Sequence, residues 1–343
     1  KQRASETLFA DVVPAALALQ QARVQRGELS SAGLRIFQNR LHKTIVPYFG
    51  KMAVNRIGYT QLSNFIQQLG ATGMTSTTIQ QHVVATRKIF SYAYSVNLIA
   101  SVPKLPSIKV TSKPRGSFSL AEYRLLVRTA SRIAGERVPI TTTQRSKRGR
   151  EHVDRYAEVT RELHWLIRFM VNSFVRPSDI KNLKHQHVEV IRGTHAYLRL
   201  QLPESKRHDR PIVSLQPAVR VYEMLKQHRS AEGRIQPEDW VFLPQEKNRE
   251  HALNLFNFWF KWILREANIA LKDNHGQDRT LYCLRHTAIT FRLLYGEGID
   301  MLTLARNART SVDMIENFYA STLSGEMNVG MLQSRRSRGR SST

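Results

Sequence analysis

The stretch Ser101-Val-Pro-Lys-Leu-Pro-Ser-Ile-Lys-Val-Thr-Ser-Lys-Pro-Arg-Gly116 constrains the fold most. Proline fixes φ and removes a backbone donor, so neither a helix interior nor a central strand tolerates this spacing. The segment reads as a stiff, extended linker. It divides the 343 residues into a first part of about one hundred and a longer second part. Each is long enough to bury a core of its own, since a domain usually takes roughly 100–200 residues.

Residues 5–100 read as mostly helical. Leu34, Phe37, Leu41 and Ile45 form one apolar stripe, which Pro47 and Gly50 should end. Thr60 is the expected N-cap of a helix carrying Leu62, Phe65, Ile66 and Leu69. Ile79, Val83, Phe90 and Tyr94 mark a third stripe within Thr78–Ser95.

The second part opens on a capping box, Ser119-Leu-Ala-Glu122. The charged run 141–155 (TTTQRSKRGREHVDR) is expected to be a mobile basic insertion or a solvated loop. An apolar helical run, Leu163–Phe174, leads into Val-Arg176-Pro-Ser-Asp179, where Pro177 suits the first turn of a new helix. Three strand-like runs follow, at Val188–Ile191, Ala196–Leu202 and Pro211–Leu215. Beyond Phe242 the pattern is helical again. The tail 326–343 ends in a low-complexity arginine and serine run and is expected to be partly disordered, with a few apolar residues, Met327, Val329, Met331 and Leu332.

Lysine and arginine number 52 against 27 acidic residues, a formal charge of +25. Such an excess points to a polyanion, first of all nucleic acid. No apolar run approaches a membrane span, and the start KQRASETLF lacks a secretory apolar core. Cys283 is the single cysteine, which excludes an intrachain disulfide and a multi-cysteine zinc site. The expectation is a cytoplasmic protein with no metal and no cofactor. A membrane-surface role is disfavoured, because no basic amphipathic helix with exposed aromatics is evident.

Four positions carry chemistry: Arg176, Lys206, Arg285 and Tyr319. A guanidinium grips two phosphate oxygens in a fork. A tyrosine hydroxyl can attack phosphorus and keep the product covalently. Taken singly these residues read blandly. Arg176 suits a salt bridge with Asp179, Tyr319 suits a core, and Lys206 shares its turn with Arg207 and Arg210, either of which could hold a phosphate instead.

In order and context the four resemble the tyrosine recombinase (phage integrase) family, and the resemblance covers nearly the whole chain. Arg176 with Asp179 matches its first arginine box. Lys206 matches the lysine of its strand hairpin. Tyr282-Cys-Leu-Arg285-His286 matches its second box, usually His-x-x-Arg-His. Tyr319 follows Met314-Ile-Glu-Asn-Phe318 and matches its nucleophile. Two positions depart: Tyr282 stands for the usual histidine, and Thr310 for the usual His or Trp of the Leu-Gly-His box, with Arg309 where Gly is usual. Phage and mobile-element integrases with Tyr-x-x-Arg-His and a Thr-Ser turn are similar.

The resemblance implies a mainly α fold with a small antiparallel β-sheet. Its parts would be a helical core-binding DNA-clamp domain (1–100), the linker (101–116), a mixed α+β catalytic domain (117–325) and a C-terminal tail (326–343) that contacts a neighbouring protomer. It implies Arg176 and Arg285 as phosphate clamps, Lys206 as general acid, and Tyr282 and Thr310 as substitute hydrogen-bond donors. Asp179 and His286 would be supporting residues. Lys104, Lys109, Lys113, Arg115, Arg207 and Arg210 are candidate DNA contacts. The implied partner is duplex DNA at specific recombination sites, bound by a homo-tetramer on two paired DNAs, with accessory DNA-bending proteins. Two rival readings stay open. One is a catalytically weak, integrase-like DNA-binding regulator. The other is a type IB topoisomerase, which the small helical domain and phage-type motifs argue against.

Overall fold

The computed structural model describes residues 7–110, 116–146, 149–202, 210–233, 235–296 and 299–319, with backbone alone for 140–155 and residue 232. The chain divides into two compact units, Lys1–Ser112 and Lys113–Thr343. Among the described residues no helix is long and apolar enough to cross a membrane.

The first unit is all helical. It contains α1 (Phe9–Gln25), α2 (Ser31–Arg40), α3 (Val46–Phe49), α4 (Tyr59–Ala71) and α5 (Ser76–Ser95). Its core is aromatic, with Phe9 packed on Phe49 and Phe90, and Phe49 on Phe65. The Leu34–Ile45 stripe is buried as expected, but Pro47 does not end it. A π turn, Leu41–Ile45, joins α2 to α3, and Pro47 sits in the first turn of α3. The wider turn accommodates a proline that lacks the donor an α-helix needs and crowds the carbonyl four residues back. Two further expectations shift. The N-cap of α4 is Gly58, not Thr60, and the Gln61 side chain accepts from the Gly58 N–H at 3.0 Å. Tyr94 is 51 % exposed, and Ile89 and Ala93 take the inner face of α5 instead.

The second unit places helices around a three-stranded antiparallel sheet. Helix α6 (Leu120–Arg132) starts at the Ser119 capping box, with both reciprocal bonds made at 3.1 and 2.8 Å. The run 141–155 is not an irregular loop. It belongs to a hairpin of β1 (Arg137–Ser146) and β2 (Gly149–Glu158), paired from Arg137 opposite Glu158 to Ser146 opposite Gly149. Val138, Ile140, the three threonines and Val153 carry strand propensity that the charges obscured. Then come α7 (Glu162–Ser173), α8 (Pro177–Asn182), β3 (Val188–Ile191), β4 (Tyr197–Leu200), β5 (Ile212–Val213), α9 (Gln216–Glu232), α10 (Arg249–Glu266), α11 (Tyr282–Tyr295), α12 (Met301–Asn307) and α13 (Val312–Tyr319). The sheet order is β3-β4-β5.

Helix α7 is the spine of this unit. Leu163, Leu166, Ile167, Phe169 and Met170 are all fully buried. At roughly 1.5–3 kcal/mol for each large apolar side chain removed from water, this helix alone gives the core much of its driving force. Its carboxylate Glu162 is buried between Arg229 and the Leu243 N–H. The entry to the unit is tied down as well. Gly116 N–H donates to Asp273 at 2.6 Å, and Phe118 N–H donates to Thr287 Oγ1 of α11 at 2.9 Å. A Cβ at Gly116 would lie 2.8 Å from that of Asp273, so only glycine fits this close approach.

Candidate active site

Two arginines, distant in sequence, meet at one turn. Helix α7 ends at Phe174, whose φ of +57° turns the chain sharply. Arg176 follows in an extended conformation and precedes α8. The Asp179 carboxylate, buried, accepts from the Arg176 N–H at 2.8 Å, so the acid orients the backbone that carries the arginine. The Arg176 guanidinium donates to the Arg309 carbonyl. Arg285, on the first turns of α11, is 2 % exposed and donates to the carbonyls of Phe174 and Ala308.

Both arginines therefore lean on the turn Ala308–Thr310 between α12 and α13. Arg309 there has φ +51° and is buried. A non-glycine residue in that region is strained by order 1–3 kcal/mol and persists when its surroundings over-determine it. The two guanidinium bonds to adjacent carbonyls, and Thr310 N–H donating to Ala305 at 2.9 Å, do so. From the other side Asn307 bonds both backbone groups of Val213, at 2.8 and 2.9 Å, which moors the end of α12 to the sheet. Each guanidinium has five donors in a planar fork, so an arginine held by one or two carbonyls keeps others for phosphate oxygens.

Tyr319 closes α13, which Ser311 starts by accepting from Met314 N–H at 3.2 Å. Its ring packs against His286, centroids 5.1 Å apart and planes 36° apart. On its other contact His286 meets Tyr282, again at 5.1 Å. The imidazole next to Arg285 thus joins the nucleophile candidate and the Tyr282 ring into one aromatic row. Burial raises the Tyr319 phenol well above the ordinary tyrosine value, against the pull of Arg285. Burial, then the neighbouring Arg176, lowers the Arg285 guanidinium, while Tyr282, Tyr319 and Asp179 pull it back up. Arginine starts so high that it stays charged. The phenol stays protonated at neutral pH and needs an acceptor for its proton when it attacks.

The structure thus brings Arg176, Arg285, Asp179, His286, Tyr282 and Tyr319 together, with Thr310 half-buried in the turn beside Arg309. Lys206, Arg207, Lys113 and Arg115 lie outside the described residues. Lys104, Lys109 and Arg210 are exposed. Cys283 is buried and accepts from Thr280 N–H at 3.4 Å, the setting of a packed thiol. Among the described residues no group of His, Cys, Asp or Glu is arranged to hold a metal. Sequence reasoning missed the carbonyl cradle of Phe174, Ala308 and Arg309, and the mooring residue Asn307. An arginine standing where a turn favours glycine was the available signal.

By sequence the chain matches no protein-family model and no characterised protein. By structure it is similar to integrases solved on DNA. The Tn1549 transposon integrase in complex with circular-intermediate DNA superposes with a TM-score of 0.63 at 13% identity, covering 96% of this chain and 100% of that one. A lambda integrase dimer bound to a COC′ core site gives 0.64 at 12%, covering 91% and 95%. A lambda integrase tetramer bound to a Holliday junction gives 0.63 at 11%, covering 92% and 78%. At such identities the likeness is one of fold. The chain has the mainly helical fold with small antiparallel sheets that these integrases share.

Proposed function

We propose that the chain is a site-specific tyrosine recombinase of the phage-integrase family, acting on the ends of a mobile element. The observation that carries this reading is the meeting of Arg176 and Arg285 at one turn, with Tyr319 packed on His286 next to Arg285, in a fold shared with DNA-bound integrases. Tyr319 Oη attacks the scissile phosphorus and gives up its proton to solvent, and the bond to the 5′ oxygen breaks. The leaving oxygen takes a proton, for which the family resemblance assigns Lys206. Strand exchange reverses the step with a new 5′ hydroxyl, so the phosphotyrosyl bond conserves the energy and no ATP is needed. The non-bridging oxygens gain charge in the transition state, and two preorganised guanidinium groups stabilise it electrostatically. Tyr282 and Thr310 supply hydrogen bonds where histidine or tryptophan is usual. The lambda tetramer on a Holliday junction supports a tetramer on paired DNAs as the working assembly. The division into linker and two DNA-gripping domains follows from the same reading.

A second reading, a catalytically weak DNA-binding regulator, is favoured by one observation: Tyr319 is only 6 % exposed, with its phenol held protonated. One experiment separates the two. The protein is incubated with nicked duplexes from the ends of its encoding element and then denatured. A protease-sensitive adduct that disappears in Tyr319→Phe supports the recombinase. Tight binding without adduct sinks it in favour of the regulator.

A further inference from the structure

Outside the catalytic cluster, α6 carries Arg124, Arg128 and Arg132 at four-residue spacing, all exposed. They stand on the face opposite the buried Leu126, Thr129 and Ala130. Successive arginines four apart lie about 6 Å apart along the axis, so the row runs about 12 Å. Like charges at that spacing repel and weaken a helix. The usual remedy, an acid three or four residues away, is missing at Arg124 and Arg128. The helix has one acid, Glu122, which is taken up by the Ser119 N–H and by Arg279. Arg132 alone meets an acid, Glu266, loosely at 3.6 Å with both partners exposed. Among the described residues no ion pair involves Arg124 or Arg128.

We infer that this arginine row is a second DNA-backbone contact, separate from the catalytic arginines, that tracks phosphates along one strand. The inference rests on the proposed recombinase reading for its partner. Charge complementarity selects that partner: the protein carries +25 and two of the row's three arginines have no ion pair among the described residues, while one DNA strand presents a charge about every 3.4 Å, so a row of this length spans three or four phosphates. Planar guanidinium forks suit phosphate oxygens better than they suit solvent. The row reads no bases; it adds affinity and holds the duplex in place.

The test compares the full chain with R124Q/R128Q/R132Q, and with the charge-keeping R124K/R128K/R132K. Affinity for a random-sequence duplex is measured by fluorescence anisotropy over a range of NaCl concentrations. Each phosphate contact contributes about 0.9 to the slope of log affinity against log salt. The glutamine variant is expected to lose up to about 2.7 of that slope, and the lysine variant to keep it. Thermal unfolding should hold or rise in the glutamine variant, because two repelling pairs are gone. Adduct formation by Tyr319 at saturating DNA should be unchanged. An unchanged slope in the glutamine variant, with the wild type binding normally, overturns the inference and leaves the recombinase reading untouched. Loss of self-association with an unchanged slope also overturns it, and assigns the row to another protein copy. Failure of the wild type to bind duplex DNA would remove both readings.

Discussion

His286 is the residue on which the geometry of the nucleophile turns. It follows Arg285 directly, and its ring touches both Tyr282 and Tyr319. His286→Ala would free the Tyr319 ring from the helix that holds the arginine. Adduct formation at saturating DNA should fall roughly tenfold or more, because small misplacements of reacting groups cost heavily. DNA affinity should stay within about twofold, since the groups assigned to the phosphates, Arg176 and Arg285, are kept. His286→Phe keeps the ring and should recover most of the rate; no recovery would show that the imidazole acts through its nitrogens instead. Arg176, Asp179, Arg285 and Tyr319 were legible as a series, because their order and spacing carry the motif. The partners that hold them were not. Carbonyl acceptors leave no mark in a sequence, and Arg309 looked like a simple departure until its left-handed backbone and the two bonds to its turn were seen.

Helix α7 holds a second diagnostic feature, His164, flanked on its own helix by Arg161 and Arg168. Burial, then those two arginines, pushes its imidazole from the ordinary 6.5 down to about 4. Between those values the unfolded chain binds the proton and the folded chain does not. Stability should therefore fall as pH drops through 6.5 and level off near 4. Partial exposure and solvent screening make the effect modest. His164→Gln should flatten the dependence of the melting temperature on pH across that window, and an unaltered slope would assign it to other groups. Elements with local signals were readable. The Ser119 capping box and the Pro177 helix start are set by residues within one turn of each other. The β1–β2 hairpin was hidden because charge dominates its composition, while its pairing is decided by cross-strand neighbours that sequence order separates. The π turn at Leu41–Ile45 was hidden too, because the apolar stripe reads the same through either kind of turn.

The molecule has two cores, and its four tryptophans, Trp165, Trp240, Trp259 and Trp262, all belong to the second unit. Phe49→Ala removes a fully buried ring from the first core, a loss of about 3–5 kcal/mol. Helical circular dichroism should then show an early transition, while tryptophan fluorescence unfolds at the wild-type denaturant concentration. Coincident shifts of both signals would mean the units fold as one. Charge is also divided unevenly. Between Glu28 and Glu122 there is no acidic residue at all, so most of the first unit and the linker offer a polyanion nothing to repel it. Lastly, Asn307 fills both the donor and the acceptor of Val213, on the outer strand of the sheet. An incoming strand finds nothing there to pair with. The amide that moors the arginine-bearing turn is thus also a guard against edge-to-edge polymerisation, and its loss would surface as insoluble protein before it surfaced as missing chemistry.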